Sequence, residues 1–334
     1  MKGLTRRLAG QLVRGLVMIW VVLTFTFVII SIMPGDPVRA MYEQLIQQGY
    51  SPQQAESETA LLHRFRPTGN IAEQYVEYIG SLLRFDLGQS MYTRVDVGDV
   101  LLDAAKWTVI PVLLGTILSF GLGVFIGVYA AIKRSSKLGD ALTMSGSLLR
   151  GIPDFVIGLT LAAIFATLWP VLPRAGAVDI RYEPGFNLDY IFSLGYHAIL
   201  PVATYTISAY GGFILAMKSS VVTVLGDDFI LAAELRGMKR SIIFRYIARN
   251  AILPLFTVFA LSIAAVFSGA IFIERIFNYP GLGMLLINSI GRRDITVMAG
   301  ALLLITIAVI IANIVADMFY SVIDPRIRRA GERV

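Results

Sequence analysis

A chain of 334 residues that is 56% hydrophobic and only 16% charged carries too few ionic groups for an ordinary soluble globule, whose charged share is about 25%, and belongs in a bilayer. Cysteine is absent, which excludes disulfide frameworks, thiolate metal sites and thiol nucleophiles. The formal net charge of +6 does not argue for nucleic acid, because the cations cluster beside apolar runs, where they act as orientation signals facing cytosol and anionic lipid.

The N-terminal MKGLTRRLAGQLVR leads into an apolar run from Gly15 to Met33. That run exceeds a secretory signal core and ends in PGDP instead of a small-residue cleavage site, so it reads as a retained first helix. A helix rises about 1.5 Å per residue, and a hydrocarbon core of about 30 Å needs about 20 mostly apolar residues. Six runs meet that length, near 12–33, 107–131, 142–172, 196–217, 252–277 and 297–323. In the second, Gly123 and Gly127 form a GxxxG suited to close helix packing. The third is too long for an upright crossing and holds Arg150, Pro153 and Asp154, which predicts a tilted or proline-kinked helix. Arg150 and Asp154 stand four apart, a spacing that sets them on one helical face where they partly neutralise each other. Such residues serve as a structural ion pair, as an interfacial Arg, or as part of a translocation pathway.

Threading six helices puts Lys2, Arg6, Arg7 and Arg14, then Lys133, Arg134 and Lys137, then the basic 218–251 loop, then Arg326, Arg328, Arg329 and Arg333 all on one side. By the positive-inside rule that side is the cytoplasm, with both termini in it. The expected organisation is a cytoplasmic segment and first helix over 1–33, an extracytoplasmic insert over 34–106, and a core of five helices over 107–334. Within the insert, Ile71, Tyr75, Tyr78, Ile79 and Leu82 recur at near-helical spacing, predicting a helix from Ile71 to Leu83 in a small helical subdomain.

Catalytic signatures are missing. There is no GxxxxGK[ST] phosphate loop and no HExxH. His63 and His197 are isolated and read as hydrogen-bonded structural residues. Asp86, Asp96, Asp99 and Asp103 read as a solvated polar face. If the helices form a transport pathway, its energy comes from an ion gradient, from passive diffusion or from a separate ATPase.

The polar stretch AAELRGMKRSIIFRYIARNAILP, Ala232 to Pro254, has more structure than a positive-inside loop needs. Asp227 and Asp228 stand where an N-cap opens a short helix through FILAAELR, and Gly237 is placed to end it in a left-handed turn. Beyond it, Ile243, Phe244 and Ile247 are expected on one side of a second helix, with Arg245 and Arg249 on another. A helix, a glycine corner and a second helix running into a span at Pro254 make a short rigid knob suited to carrying force from a soluble partner.

These residues resemble the EAA loop of ABC importer permeases: Ala232 and Ala233 supply its alanine pair, Gly237 its glycine, and Ile252-Leu253-Pro254 its ending. Leu231 stands at the glutamate position and the glycine-to-proline spacing is longer, departures that look like the oligopeptide/dipeptide/nickel branch. Similar to that branch, too, are PGDP at Pro34–Pro37, the Asp86-Leu87-Gly88-Gln89-Ser90 element after Phe85, Ile152-Pro153 with Phe155, ERIFNYPGLG at Glu274–Gly283, Asn313 with Asp317, and DPRIR at Asp324–Arg328. The resemblance implies an all-α integral membrane protein with six helices of the type I ABC importer fold, resident in the cell inner membrane. It implies no cofactor in this chain, ATP and Mg being bound by two partner ATPase subunits, with a second, homologous permease and an extracytoplasmic solute-binding protein as further partners.

On that resemblance, Asp228, Ala232, Ala233, Glu234, Arg236 and Gly237 couple to the ATPases. Glu274, Phe277, Pro280, Gly281 and Gly283 form, on the same resemblance, a motif near the external gate. As charges within a span, Arg150 and Asp154 are candidates for the translocation pathway, together with Pro153 and Asn278. The implied cargo is a small peptide; an oligosaccharide, a nickel chelate, an ion-coupled secondary carrier and an assembly factor stay open as alternatives.

Overall fold

The computed structural model describes residues 2–32, 37–47, 49–60, 70–84 and 86–323. The expectations resting on Met33–Asp36, His63, Phe85, the side chain of Asp317 and Asp324–Arg328 lie outside the described residues. Those residues form an all-α fold, with an isolated bridge between Gln89 and Asp96 as its extended pairing. Two compact units divide it, one gathering Lys106–Met284 with the chain from Ala308, the other Gly10–Ala105 with Leu285–Ile307.

The second of these units holds most of α1 (Lys2–Ile32), then α2 (Pro37–Gln47), α3 (Pro52–Ala60) and α4 (Ile71–Leu83). Helix α4 has the bounds its periodicity predicts. Asn70 caps it by accepting from the Ala72 N–H at 3.1 Å, and Tyr78 and Leu82 bury its apolar face against Leu23 and Phe27 of α1 and against Ala299 and Leu303 of α13 (Ile295–Ile323). In the same unit Ser90 donates to the buried Asp294 at 2.6 Å, and the Thr296 hydroxyl meets the Gln89 carbonyl at 2.8 Å. The DLGQS element is thus tied to the start of α13, and its Gly88 takes φ +72°.

The other unit is built from most of α5 (Val97–Ile132), then α6 (Lys137–Gly151), α7 (Asp154–Ala162) continued by a π-helical turn (Ala163–Leu168), α8 (Leu188–Leu225), α9 (Asp228–Leu235), α10 (Arg240–Ala251) and α11 (Leu253–Phe277). It leads into α12 (Leu282–Arg292). Gly123 and Gly127 do pack helices closely: a Cβ at either would fall 2.3 Å from Phe213 Cβ or 2.6 Å from Met217 Cβ. Gly211 faces Gly146 in the same way, its added Cβ meeting that carbonyl oxygen at 2.2 Å, so α6 and α8 touch through their backbones.

The third apolar run is broken, not merely tilted. Pro153 has no N–H to continue the ladder and forces Ile152 into extended conformation (φ −91°, ψ 126°), so α6 and α7 meet at 101°. The predicted same-face pairing of Arg150 with Asp154 is therefore overturned, because no single helix carries both. Among the described residues, four helices are long and apolar enough to cross a bilayer unbroken, at Val13–Ile32, Val97–Ile132, Leu188–Leu225 and Ile295–Val315. Three bent pairs add Lys137–Leu168, Arg240–Ile263 and Ala270–Arg292.

Candidate functional site

Helix α9 and the corner behind it are built as the sequence suggests, with two differences. Asp227 occupies the N-cap with extended backbone but makes no side-chain cap hydrogen bond, and Asp228 opens the helix, exposed. At the other end Arg236 is the C-cap and Gly237 takes φ +67°. The Gly237 N–H donates to the Glu234 carbonyl at 2.9 Å and the Met238 N–H to the Ala233 carbonyl at 3.2 Å. That pair of bonds is a Schellman motif, whose left-handed residue is nearly always glycine. Nothing lies within 4 Å of an added Cβ at Gly237, so conformation alone, not space, demands glycine there.

One side of α9 is seated and the other is bare. Ile230 and Ala233 are buried, joining a core with Ile243, Ile247 and Ala251 of α10, Met217, Val221 and Val224 of α8, Val128 and Ala131 of α5 and Leu255 of α11. Met238 packs against the same core, supplying the apolar contact that accompanies the motif. Ser220 of α8 donates to the Ala251 carbonyl at 2.7 Å, fixing the α10–α11 junction just before Pro254. Outward stand Phe229, Leu231 and Leu235, the last 80% exposed, together with Ala232, Glu234 and Arg236. Phe244 corrects the expected register: it is 45% exposed, because it sits about 100° round the helix from Ile243 and only Ile243 and Ile247 share the buried stripe. Arg245 and Arg249 are exposed as expected.

At the junction of α11 and α12 the ERIFNYPGLG stretch forms a second constellation. Asn278 ends α11 in left-handed conformation (φ 46°) and the Tyr279 N–H returns to the Glu274 carbonyl at 2.8 Å. Phe277 and Tyr279 are buried, while Asn278 and Pro280 are exposed. Glu274, only 2% exposed, accepts from the Thr108 hydroxyl at 2.6 Å and from the Met284 N–H at 2.9 Å; the Gly283 N–H also donates to it. Thr108 in turn accepts from the Leu282 N–H at 2.8 Å. Two side chains from other helices thus satisfy the first three N–H groups of α12, which no intrahelical carbonyl can reach. Gly281 and Gly283 make room for this, since a Cβ at Gly281 would lie 2.2 Å from Glu274 Oε1 and one at Gly283 2.5 Å from Ile271 Cα. Sequence reasoning named Glu274 but missed Thr108, which carries no local signal for its role.

A cavity of about 240 Å³ opens at the break between α6 and α7, lined by Arg150, Asp154, Ser208, Gly212, Phe213 and Ser262 among others. Pro153 forms the break beside it, and Asn278 caps α11 and is not one of the lining residues. Among the described residues no group of three or more His, Cys, Asp or Glu is placed to hold a metal ion.

Comparison with known proteins matches residues 123–329 to the family of binding-protein-dependent transport system inner membrane components. The chain is 33% identical over 319 residues to the di/tripeptide transport system permease protein DppB of Pseudomonas aeruginosa, covering 91% of this chain and 93% of that one. It is 32% identical over 323 residues to the dipeptide transport system permease protein DppB of Escherichia coli K12, again covering 91% and 93%. With the oligopeptide transport system permease protein AppB of Bacillus subtilis it shares 29% identity over 304 residues, 90% of this chain and 92% of that one.

Proposed function

Because this chain belongs to the family of binding-protein-dependent transport system inner membrane components, we propose that it is one membrane-spanning subunit of an ATP-driven importer that takes up a small peptide delivered by an extracytoplasmic solute-binding protein. The relatives named for oligopeptide, dipeptide and di/tripeptide transport support the peptide as cargo. Its six crossings are α1, α5, the broken α6–α7 span, α8, α11 and α13, with α2–α4 as the extracytoplasmic insert and both termini in the cytoplasm.

The observation that carries the mechanism is α9, an eight-residue helix apolar on both sides: Ile230 and Ala233 hold it to the permease, and Phe229, Leu231 and Leu235 are left bare. An apolar helix face of that size fits a groove in a partner, in the manner of helix-in-groove recognition. The partner is an ATPase subunit. ATP drawing two such subunits together moves α9, and the continuous core beneath it passes the displacement to α5, α8 and α11, because close-packed interiors transmit strain instead of absorbing it. A second, homologous permease completes the pathway, and ATP switches the pore only by binding its two states with different affinity.

Purification of the detergent-solubilised complex tests this. Two ATPase chains accompany the permease pair, and their ATP turnover rises when the loaded binding protein is added. A complex with no ATPase chain, or with turnover indifferent to the binding protein, contradicts the reading.

A further inference from the structure

Arg150 and Asp154 are opposite charges that line one cavity without pairing: neither has an ion-pair or hydrogen-bond partner among the described residues. The 101° break at Ile152–Pro153 keeps them apart. Each is placed at a helix end of favourable sign, Arg150 in the last turn of α6 and Asp154 in the first turn of α7, which accounts for their tolerance but not for their facing the same space. Ser208 is a third polar residue of the lining, its hydroxyl buried without a hydrogen-bond partner among the described residues. Phe213 and Val258 supply apolar wall, and the Ser262 hydroxyl is turned to the Val258 carbonyl. An ionisable residue within a membrane span marks a solute path more often than it serves packing.

We infer that this cavity is a zwitterion subsite on the translocation path, in which Arg150 binds a carboxylate and Asp154 an ammonium group of a short peptide as it passes. The inference rests on the importer reading and deepens it. At about 240 Å³ the space falls below the roughly 300–1,000 Å³ of a pocket that encloses a whole ligand, so it grips charged termini while the rest of the peptide lies in the open pathway. A charged hydrogen bond exchanged for one to water keeps only a modest net gain, which suits a site that must release its guest.

The chain's lack of cysteine permits a direct test on the purified whole complex. A single cysteine at Ser262 is labelled by a thiol reagent, the label being read on this chain's own band, with trialanine, N-acetyl-trialanine amide or maltotriose as the competing probe. Trialanine slows labelling; the doubly blocked peptide and the uncharged sugar do so at least tenfold less well. Arg150→Gln raises the trialanine midpoint about tenfold, as loss of one charged hydrogen bond predicts, leaves the blocked peptide unchanged, and Arg150→Lys restores most of the difference. Helix-end stabilisation alone leaves the ratio of free to blocked peptide unmoved. Equal protection by the free and blocked peptides, by the sugar, or by none of them overturns the subsite, and that comparison needs no change to the two charges. ATP-driven uptake is measured on the same preparation: uptake without the labelling pattern sinks the subsite alone, whereas absence of ATP-driven uptake sinks the importer reading.

Discussion

Replacing Gly281 by alanine puts a methyl group 2.2 Å from Glu274 Oε1 and 2.3 Å from its Cδ, so the buried carboxylate must leave its position. It then surrenders its bonds to the Thr108 hydroxyl and the Met284 N–H, and each buried group left unsatisfied costs about 1–3 kcal/mol. Two such losses, partly relieved by relaxation, put the penalty at about 3–4 kcal/mol, at the high end for a single substitution. Glu274→Ala removes the same bonds and costs a similar amount. The double variant is the discriminating one, because once the carboxylate is gone the new methyl has space. Its destabilisation is close to that of either single change, a coupling of about 3 kcal/mol, where unrelated sites add within about 0.5 kcal/mol. Denaturant or thermal unfolding of the purified protein in detergent measures this cycle. Additive penalties would refute the claim that Gly281 exists to admit Glu274.

Three further outcomes are expected. Gly237→Val forces a β-branched residue to φ +67° at about 1–2 kcal/mol, leaving the protein inserted while ATP turnover is no longer matched by uptake; wild-type uptake per ATP would defeat the corner argument. Leu235→Glu, at a position 80% exposed, changes the stability of the isolated permease by less than about 0.5 kcal/mol yet weakens co-purification of the ATPase chains at least tenfold, and retention of those chains at wild-type level would show that α9 is not the contact. With single cysteines at Gln53 and Lys239, an impermeant thiol reagent outside cells whose outer membrane is permeabilised labels the first alone, and the reverse pattern would invert the topology.

How much of this was legible depended on whether the signal was local. The period of Ile71–Leu83 gave α4 its bounds because a half-buried helix must repeat its apolar residues at helical spacing, and Gly237 announced a left-handed corner that few other residues tolerate. Pro153 signals an interruption, but hydropathy runs straight across it, so the sequence does not distinguish a kink from a 101° break, and the same-face pairing of Arg150 with Asp154 holds only for an unbroken helix. The apolar type of Phe244 points to the buried side, although its angular position matches neither Ile243 nor Ile247. The partners of Glu274 and Asp294 were beyond reach of any local pattern: Thr108 lies 166 positions from the first and Ser90 204 from the second. Buried polar contacts of this kind are set by the tertiary fold, and only the demand that buried groups be satisfied hints that such partners exist.

Entry through α9 of the force that other chains generate on ATP is tested by uptake into proteoliposomes holding the whole complex. A peptide delivered by the binding protein is expected to accumulate only when ATP is supplied on the α9 side, an imposed proton or sodium gradient does not replace it, and Leu235→Glu abolishes the accumulation. Uptake driven by an ion gradient without ATP, or undiminished by Leu235→Glu, would contradict it.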